Sequence, residues 1–297
     1  MTTVTHPQLF GVPSTGKSSN RKRPRGQLLK WVGNKFRYAD IIARHLPSEM
    51  GTYYEPFVGT GAVLATLAPE HAIAGDTLPT LVELLQIVQT EPELLVRHYD
   101  TARKEILRGG RTAYERIKDR YNRHPSPEDL LVLSRTCYGG VMRFTRLGTI
   151  STPMGPHNPM PADKLASYMS DWQARLEGTT FVKLGFETTM SMAAQGDTVY
   201  CDPPYIHSQT ILYGAQSFRL AQLWEAVGSA VNRGVRVAVS LDGWRKSGKK
   251  TIDLNVPAGL FSREVLIERG GCMLRRFQMN GSDMAYEQVA DRLLLSW

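Results

Sequence analysis

Apolar positions between Lys35 and Leu46 fall at Phe36, Ala39, Ile42, Ala43 and Leu46, a helical period that stops before Pro47. Thr52 to Glu55 then reads as a short strand. Phe57-Val58-Gly59-Thr60-Gly61 reads as a turn, and Ala62 to Ala68 as a helix closing before Pro69. His71 to Gly75 is a second apolar run ending on Asp76, and Leu81 to Thr90 is a helix. The order strand, turn, helix, strand, acid, helix is the front half of a doubly wound nucleotide-binding sheet.

The middle of the chain has a different character. Pro92 to Leu107, Thr112 to Asn122 and Pro127 to Cys137 read as Arg-rich helices, broken by Gly109-Gly110, Pro125 and Pro127. Tyr138 to Pro161 reads as a loop with four Gly and four Pro. Alternation then resumes with strands over Thr180 to Leu184 and Asp197 to Cys201, a polar stretch Ile206 to Ser217, a helix Phe218 to Arg233 and a strand Arg236 to Leu241. Strands over Arg263 to Arg269, Met273 to Met279 and Leu293 to Trp297 give an antiparallel end. The expected organisation is a tail over 1–27, one α/β domain over 28–90 and 162–297, and a helical and loop insertion over 91–161.

Composition narrows this picture. A chain of 297 residues with 42% hydrophobic residues can bury a sizeable core. No run approaches the roughly 18 to 20 apolar residues of a membrane span, and the first thirty or so residues hold no apolar signal region, so a soluble, unexported protein is expected. Cys137, Cys201 and Cys272 lie far apart without metal-binding spacing, which argues against disulfides and structural zinc. The net charge of +8 is unevenly placed: +5 lies on residues 1–27, a Pro-, Gly- and Ser-rich stretch without acids that is expected to be mobile. A further +6 lies between Arg97 and Arg146, which leaves the rest at −3. Two basic features on a mildly acidic body point to a polyanionic partner, nucleic acid first.

Four motifs carry chemistry. Gly11 to Ser18 fits a phosphate-loop pattern, but no strand delivers it and no buried helix can follow through Arg21-Lys22-Arg23-Pro24. Tyr54-Glu55-Pro56-Phe57-Val58-Gly59-Thr60-Gly61 places two glycines at a strand-to-helix turn, with Asp76 positioned for ribose hydroxyls at the end of the next strand. Asp202-Pro203-Pro204-Tyr205 follows an apolar strand. Its prolines remove two N–H donors, so a carboxylate and bare carbonyls can accept both hydrogens of an amino group while Tyr205 offers a stacking face. Leu28 to Lys35 sets two cations and an indole before a helix.

Together and in this order the motifs resemble the Dam-type (D12 class) DNA adenine-N6 methyltransferases. The family's K-W-A-G-G-K appears as Lys30-Trp31-Val32-Gly33-Asn34-Lys35, its E-P-F-x-G-x-G as Glu55 to Gly61, and its D-P-P-Y at 202–205. Tyr138-Gly139-Gly140-Val141-Met142-Arg143-Phe144-Thr145, then Gly148, Pro153 and Gly155, match its recognition segment, and Arg275-Arg276, Asn280-Gly281 and Leu293-Leu294 its ending. Asn34, Gly139 and Thr145 depart from the family pattern, as does Gly185, where an acid is common, with Glu187 two positions on.

The resemblance implies a Rossmann-like, S-adenosylmethionine-dependent methyltransferase sheet with a mostly helical target-recognition insertion. It implies methyl transfer to adenine N6 in double-stranded DNA by base flipping, without a metal. Asp202, Pro203, Pro204 and Tyr205 would be catalytic. Trp31, Lys35, Glu55, Pro56, Phe57, Gly59, Gly61, Asp76 and Asp202 would bind the cofactor. Lys30, Arg135, Tyr138, Arg143 and Arg146 would contact DNA, with Tyr138 beside the displaced base. A monomeric, cytoplasmic protein, bacterial, archaeal or phage-encoded, with no membrane partner completes the expectation, and whether a cognate restriction endonuclease accompanies it stays open. A single-stranded DNA or RNA substrate, an inactive DNA-binding partner and a phosphate-loop nucleotidase remain the alternatives.

Overall fold

The computed structural model describes residues 21–204, 218–245, 255–268 and 289–297. The Gly11–Ser18 motif, Tyr205, Cys272 and the strand expected over Met273 to Met279 lie outside these residues.

Seven strands form one sheet in the order β3-β2-β1-β4-β5-β7-β6. The central strands β1 (Tyr53–Glu55), β2 (Ala72–Gly75), β3 (Thr179–Val182), β4 (Thr198–Cys201) and β5 (Arg236–Arg245) are mutually parallel. The edge strand β6 (Arg263–Glu268) and β7 (Val289–Leu295) run antiparallel to each other, and β7 runs antiparallel to β5. β1 and β4 are buried along their whole length, as strands covered on both faces must be.

Alternate side chains divide between two cores. Tyr53, Tyr200, Ala238, Leu293 and Leu295 point into the larger one, with α1 (Ala39–His45), α2 (Ala62–Leu67), α3 (Pro79–Thr90) and α6 (Ala162–Arg175). Tyr54, Val199, Val237, Val239 and Leu294 point into the smaller one, covered by α7 (Phe186–Ser191) and α8 (Leu220–Asn232). A single residue of register slip would exchange these two sets.

The insertion shares the larger core. Its helices α4 (Pro92–Arg123) and α5 (Pro127–Thr136) contribute Leu95, Tyr99, Ile106, Tyr114, Leu130 and Leu133 to it. α4 kinks at Gly110 (φ +52°), where two helices were expected to part. α5 begins on Ser126, whose Oγ accepts the Asp129 N–H at 3.2 Å. The buried Asp129 carboxylate then receives Arg120 Nε and Nη2 at 2.7 and 2.6 Å, with His98 Nε2 at 2.9 Å, and so ties α5 to α4. Two helices, α6 and α7, have no counterpart among the elements expected from the sequence.

Residues 21–27 differ from the mobile tail expected there. Arg21 donates to Ala43 O and, at 2.9 and 2.6 Å, to Leu46 O and Pro47 O, occupying carbonyls exposed where α1 ends. The Arg25 N–H meets Asp171 Oδ2 at 2.7 Å, and the buried Trp172 Nε1 donates to Gly26 O at 2.8 Å. A Cβ on Gly26 would lie 2.3 Å from the Tyr168 ring, so only glycine lets the segment pass this closely. Among the described residues no helix is long and apolar enough to cross a membrane.

Asp129→Ala removes the acceptor that joins α4 to α5, and a loss of about 2–4 kcal/mol in urea unfolding is expected at pH 7. Burial alone would raise this carboxyl's pKa, but the hydrogen bonds from Arg120 and His98 outweigh it and hold it below the usual range. The contribution is therefore present above the ordinary carboxylate pKa and fades as pH falls through the lower folded value, so the variant and the parent should converge in acid.

Candidate functional site

Strand order reverses between β1 and β4, and at such a point the carboxyl ends of the strands open a crevice. Glu55 closes β1, the turn Pro56–Gly61 leads into α2, and Asp202 follows β4 directly. Gly59 and Gly61 take positive φ of 49° and 70°, which a side chain would resist. Gly61 N donates to Val58 O at 2.7 Å, and Val58 N to Gly75 O at 2.9 Å. Asp76 holds the turn from the next strand, accepting Gly59 N at 3.0 Å and Leu78 N at 3.1 Å. The structure thus gives Asp76 a task in shaping the glycine turn besides its place on the cleft wall.

Lys35 and Asp202 meet across 167 residues of chain. Lys35 Nζ, only 4% exposed, lies 2.6 and 2.7 Å from the two Asp202 oxygens and 3.1 Å from Gly33 O. A buried ammonium requires such partners. Asn34, which replaces a family glycine, accepts the Phe36 N–H at 2.8 Å and donates to Leu29 O at 3.3 Å, which fixes the turn that presents Lys35. Glu55 is buried nearby and accepts a 2.7 Å hydrogen bond from the Tyr53 hydroxyl. Burial first, and the Asp202 charge after it, raise its pKa to about 8 against the opposing hydrogen bond from Tyr53.

The cleft encloses about 500 Å³. Trp31, Lys35, Glu55, Pro56, Phe57, Gly59, Asp76, Asp202, Pro203 and Pro204 line it, whereas Gly61 stands outside this lining as the first cap of α2. Phe57 stacks on Phe186 with centroids 5.1 Å apart, and Phe218 meets both edge-on, giving the cleft a flat apolar end. Gly185 and Glu187 stand at that end. A Cβ on Gly185 would lie 3.3 Å from Glu187 Oε2, so the Glu187 carboxylate fills the space that an acid at 185 would enter. Phe186, Phe218 and Tyr200 were not marked as site residues in the sequence. Tyr200 sits in the apolar run of β4, whereas Phe186 and Phe218 are single aromatics between glycine or polar neighbours, and nothing in either setting separates cleft wall from core.

The residues expected to contact DNA divide. Lys30 and Tyr138 are exposed at the base of a ribbon formed by residues 137–155, where a Cβ on Gly140 would touch Lys30 Cβ at 3.0 Å. Arg143 and Arg146 are exposed farther along it. Arg135 is corrected: its guanidinium turns inward, donating to Gln27 O and Leu28 O at 2.8 Å each and to Met160 Sδ at 3.3 Å. It positions the segment that carries Lys30 to Lys35 instead of meeting a phosphate. Trp31 lines the cleft and packs on Phe144 of the ribbon, with ring centroids 6.3 Å apart. Among the described residues no cluster of three or more His, Cys, Asp or Glu is placed to hold a metal.

A family model described as D12 class N6 adenine-specific DNA methyltransferase matches residues 31–222. A DNA adenine methylase of Serratia marcescens is 31% identical over 183 residues, 60% of this chain and 66% of that protein. One of Vibrio cholerae serotype O1 is 27% identical over 228 residues, 71% of this chain and 79% of that protein. The chain therefore spans about two thirds to four fifths of the length of these relatives. Among solved structures, the rRNA methyltransferase aviRa from Streptomyces viridochromogenes aligns with a TM-score of 0.41 and 15% identity, over 95% of this chain and 93% of that one.

Glu55 carries a measurable signature. Folded, it keeps its proton up to about pH 8, whereas in the unfolded chain it ionises near an ordinary glutamate value of about 4.3. The folded state then binds more protons between these limits, and this group's contribution to stability declines as pH rises through that window. Glu55→Gln lacks the decline, so its stability relative to the parent should increase from pH 5 to 8.5 in urea unfolding. A constant difference would show that Glu55 is ionised in the fold.

Proposed function

The chain belongs to the D12 class N6 adenine-specific DNA methyltransferase family, and on that premise we propose that it transfers a methyl group from S-adenosylmethionine to the N6 amino group of an adenine flipped out of duplex DNA. The observation that carries this reading is the placement of Asp202, Pro203 and Pro204 at the mouth of β4, facing the cleft, with Lys35 clamping the carboxylate.

The donor set suits a zwitterionic nucleoside. Phe57, Phe186 and Phe218 offer an apolar wall, and Glu187, Asp76, Glu55 and Lys35 line the same cleft with three carboxyl groups and a cation. S-adenosylmethionine, when bound, supplies a methyl group activated by the adjoining sulfonium. Lys35 would hold its carboxylate, Glu55 its ammonium, Asp76 the ribose, and Glu187 the adenine amine, beside Trp31 and the turn Pro56 to Gly59.

The adenine amino nitrogen is a weak nucleophile because its lone pair is delocalised into the ring. Asp202 and the Pro203 carbonyl would accept its two N–H groups, favouring a pyramidal nitrogen whose lone pair is free for attack. Pro204 has no N–H to compete for the carbonyl before it. Because Lys35 already lies on both Asp202 oxygens, the pair is close to neutral, and the carboxylate acts chiefly as an oriented acceptor with lone pairs to spare. The proton released from N6 after transfer would pass to Asp202 Oδ and on to water, since this side chain is 19% exposed. Tyr205 would stack on the extruded base, and Tyr138, 44% exposed on the ribbon, would fill the gap left in the duplex. Extrusion costs a few kcal/mol, which these contacts offset.

Asp202→Ala should lower methyl transfer to duplex DNA by at least about 100-fold while duplex affinity stays within a few fold. Asp202→Asn, which keeps one acceptor and spares Lys35 complete isolation, should retain more activity than the alanine variant. Full turnover by Asp202→Ala with labelled cofactor would remove Asp202 from the chemistry.

A further inference from the structure

Residues 137–155 form an irregular antiparallel ribbon, bridged at Cys137 with Met154 and at Phe144 with Ile150. Its inner side is anchored. Met142, Phe144 and Ile150 are buried, Tyr114 Oη donates to Thr152 O at 2.8 Å, and the Asn122 side chain bonds both N and O of Ile150 at 2.7 and 3.0 Å. The ribbon is therefore an arm fixed to the body.

Its tip is braced from within. Thr145 N donates to Thr149 O at 2.8 Å and Gly148 N to Thr145 O at 2.9 Å, with Gly148 at φ +77°. Thr145 Oγ1 also receives the N–H groups of Leu147 and Thr149 at 3.2 and 3.3 Å and lies 2.7 Å from Thr149 Oγ1. The backbone is thus satisfied without help from the side chain it carries outward. That side chain is Leu147, 90% exposed, against 36–61% for the other exposed large hydrophobics among the described residues. Single exposed leucines are ordinary on protein surfaces. This one stands at the apex of a preorganised arm, beside the exposed Arg143 and Arg146.

Resting on the reading of the chain as a duplex-DNA methyltransferase, we propose that Leu147 is a specificity-determining contact that packs on the C5-methyl group of a thymine in the major groove. A two-stranded ribbon fits that groove, and the thymine methyl is the apolar feature displayed there. The two arginines that precede it on the ribbon match the charge of the phosphates beside the groove. A leucine cannot hydrogen-bond a base edge, so it discriminates through the methyl group alone.

The test uses the full chain and a duplex containing the sequence it methylates, with each thymine in turn replaced by deoxyuridine, which deletes only the methyl group. For the parent, one replacement should weaken binding about three- to tenfold, as loss of one buried methyl group predicts. Leu147→Ala should bind the all-thymine duplex with a similar loss and be indifferent to that replacement. Equal binding by the variant and the parent, or a loss in the variant with undiminished sensitivity to the replacement, overturns the proposal. Failure of the parent to methylate duplex adenine would instead strike the reading on which it rests.

Discussion

The ion pair between Lys35 and Asp202 is the constraint on which the rest of this structure depends. An ammonium that is 4% exposed cannot remain charged without close partners, so the segment before α1 has to be held within 3 Å of the end of β4. Several otherwise unrelated features serve that end. Leu28 and Leu29 are buried in the larger core, Arg135 grips the carbonyls of Gln27 and Leu28, Trp172 holds Gly26, and Arg21 closes the end of α1. Each contact lies outside the cleft, yet together they fix the segment and the helix between which Lys35 stands.

The same segment joins the cleft to the ribbon. Trp31 is a wall of one and packs on Phe144 of the other, and Lys30 lies against Gly140 at the ribbon's base. Any ligand that orders the indole also orders the ring it touches. The Lys30–Lys35 segment thus holds the cleft and the ribbon in one frame.

Much of this was legible in the chain because the chemistry is local in sequence. Glu55 to Gly61 and Asp202 to Pro204 are contiguous motifs at strand ends, and the short, largely apolar runs of β1, β4 and β5 announce strands covered on both faces. What escaped depends on direction or on distant pairing. Arg135 counts as a cation in any tally of charge, but only the fold shows its guanidinium turned inward. Leu165, Met169, Trp172 and Leu176 carry the helical period of α6, yet they follow a Pro- and Gly-rich loop that masks the start. Residues 21–27 have a disordered composition and are held by hydrogen bonds to their backbone and arginines, which composition does not encode. The excess charge of the insertion is likewise partly engaged within it, since Arg120, Lys104 and Lys118 pair with its own acids.

The charge state of the cleft follows from the same pair. One buried cation faces two nearby carboxyl groups, and it can neutralise only one of them. Asp202, partly exposed and touched on both oxygens, takes Lys35, while Glu55, fully enclosed, keeps its proton up to about pH 8. Asp76 and Glu187 add two further carboxyl groups to the cleft lining, so among the described residues acids outnumber the one cation there. A ligand bringing positive charge would find the Glu55 carboxyl ready to ionise against it, whereas a carboxylate would share Lys35 with Asp202. Which carboxyl group Lys35 can reach thus decides which of the two stays protonated in the cleft.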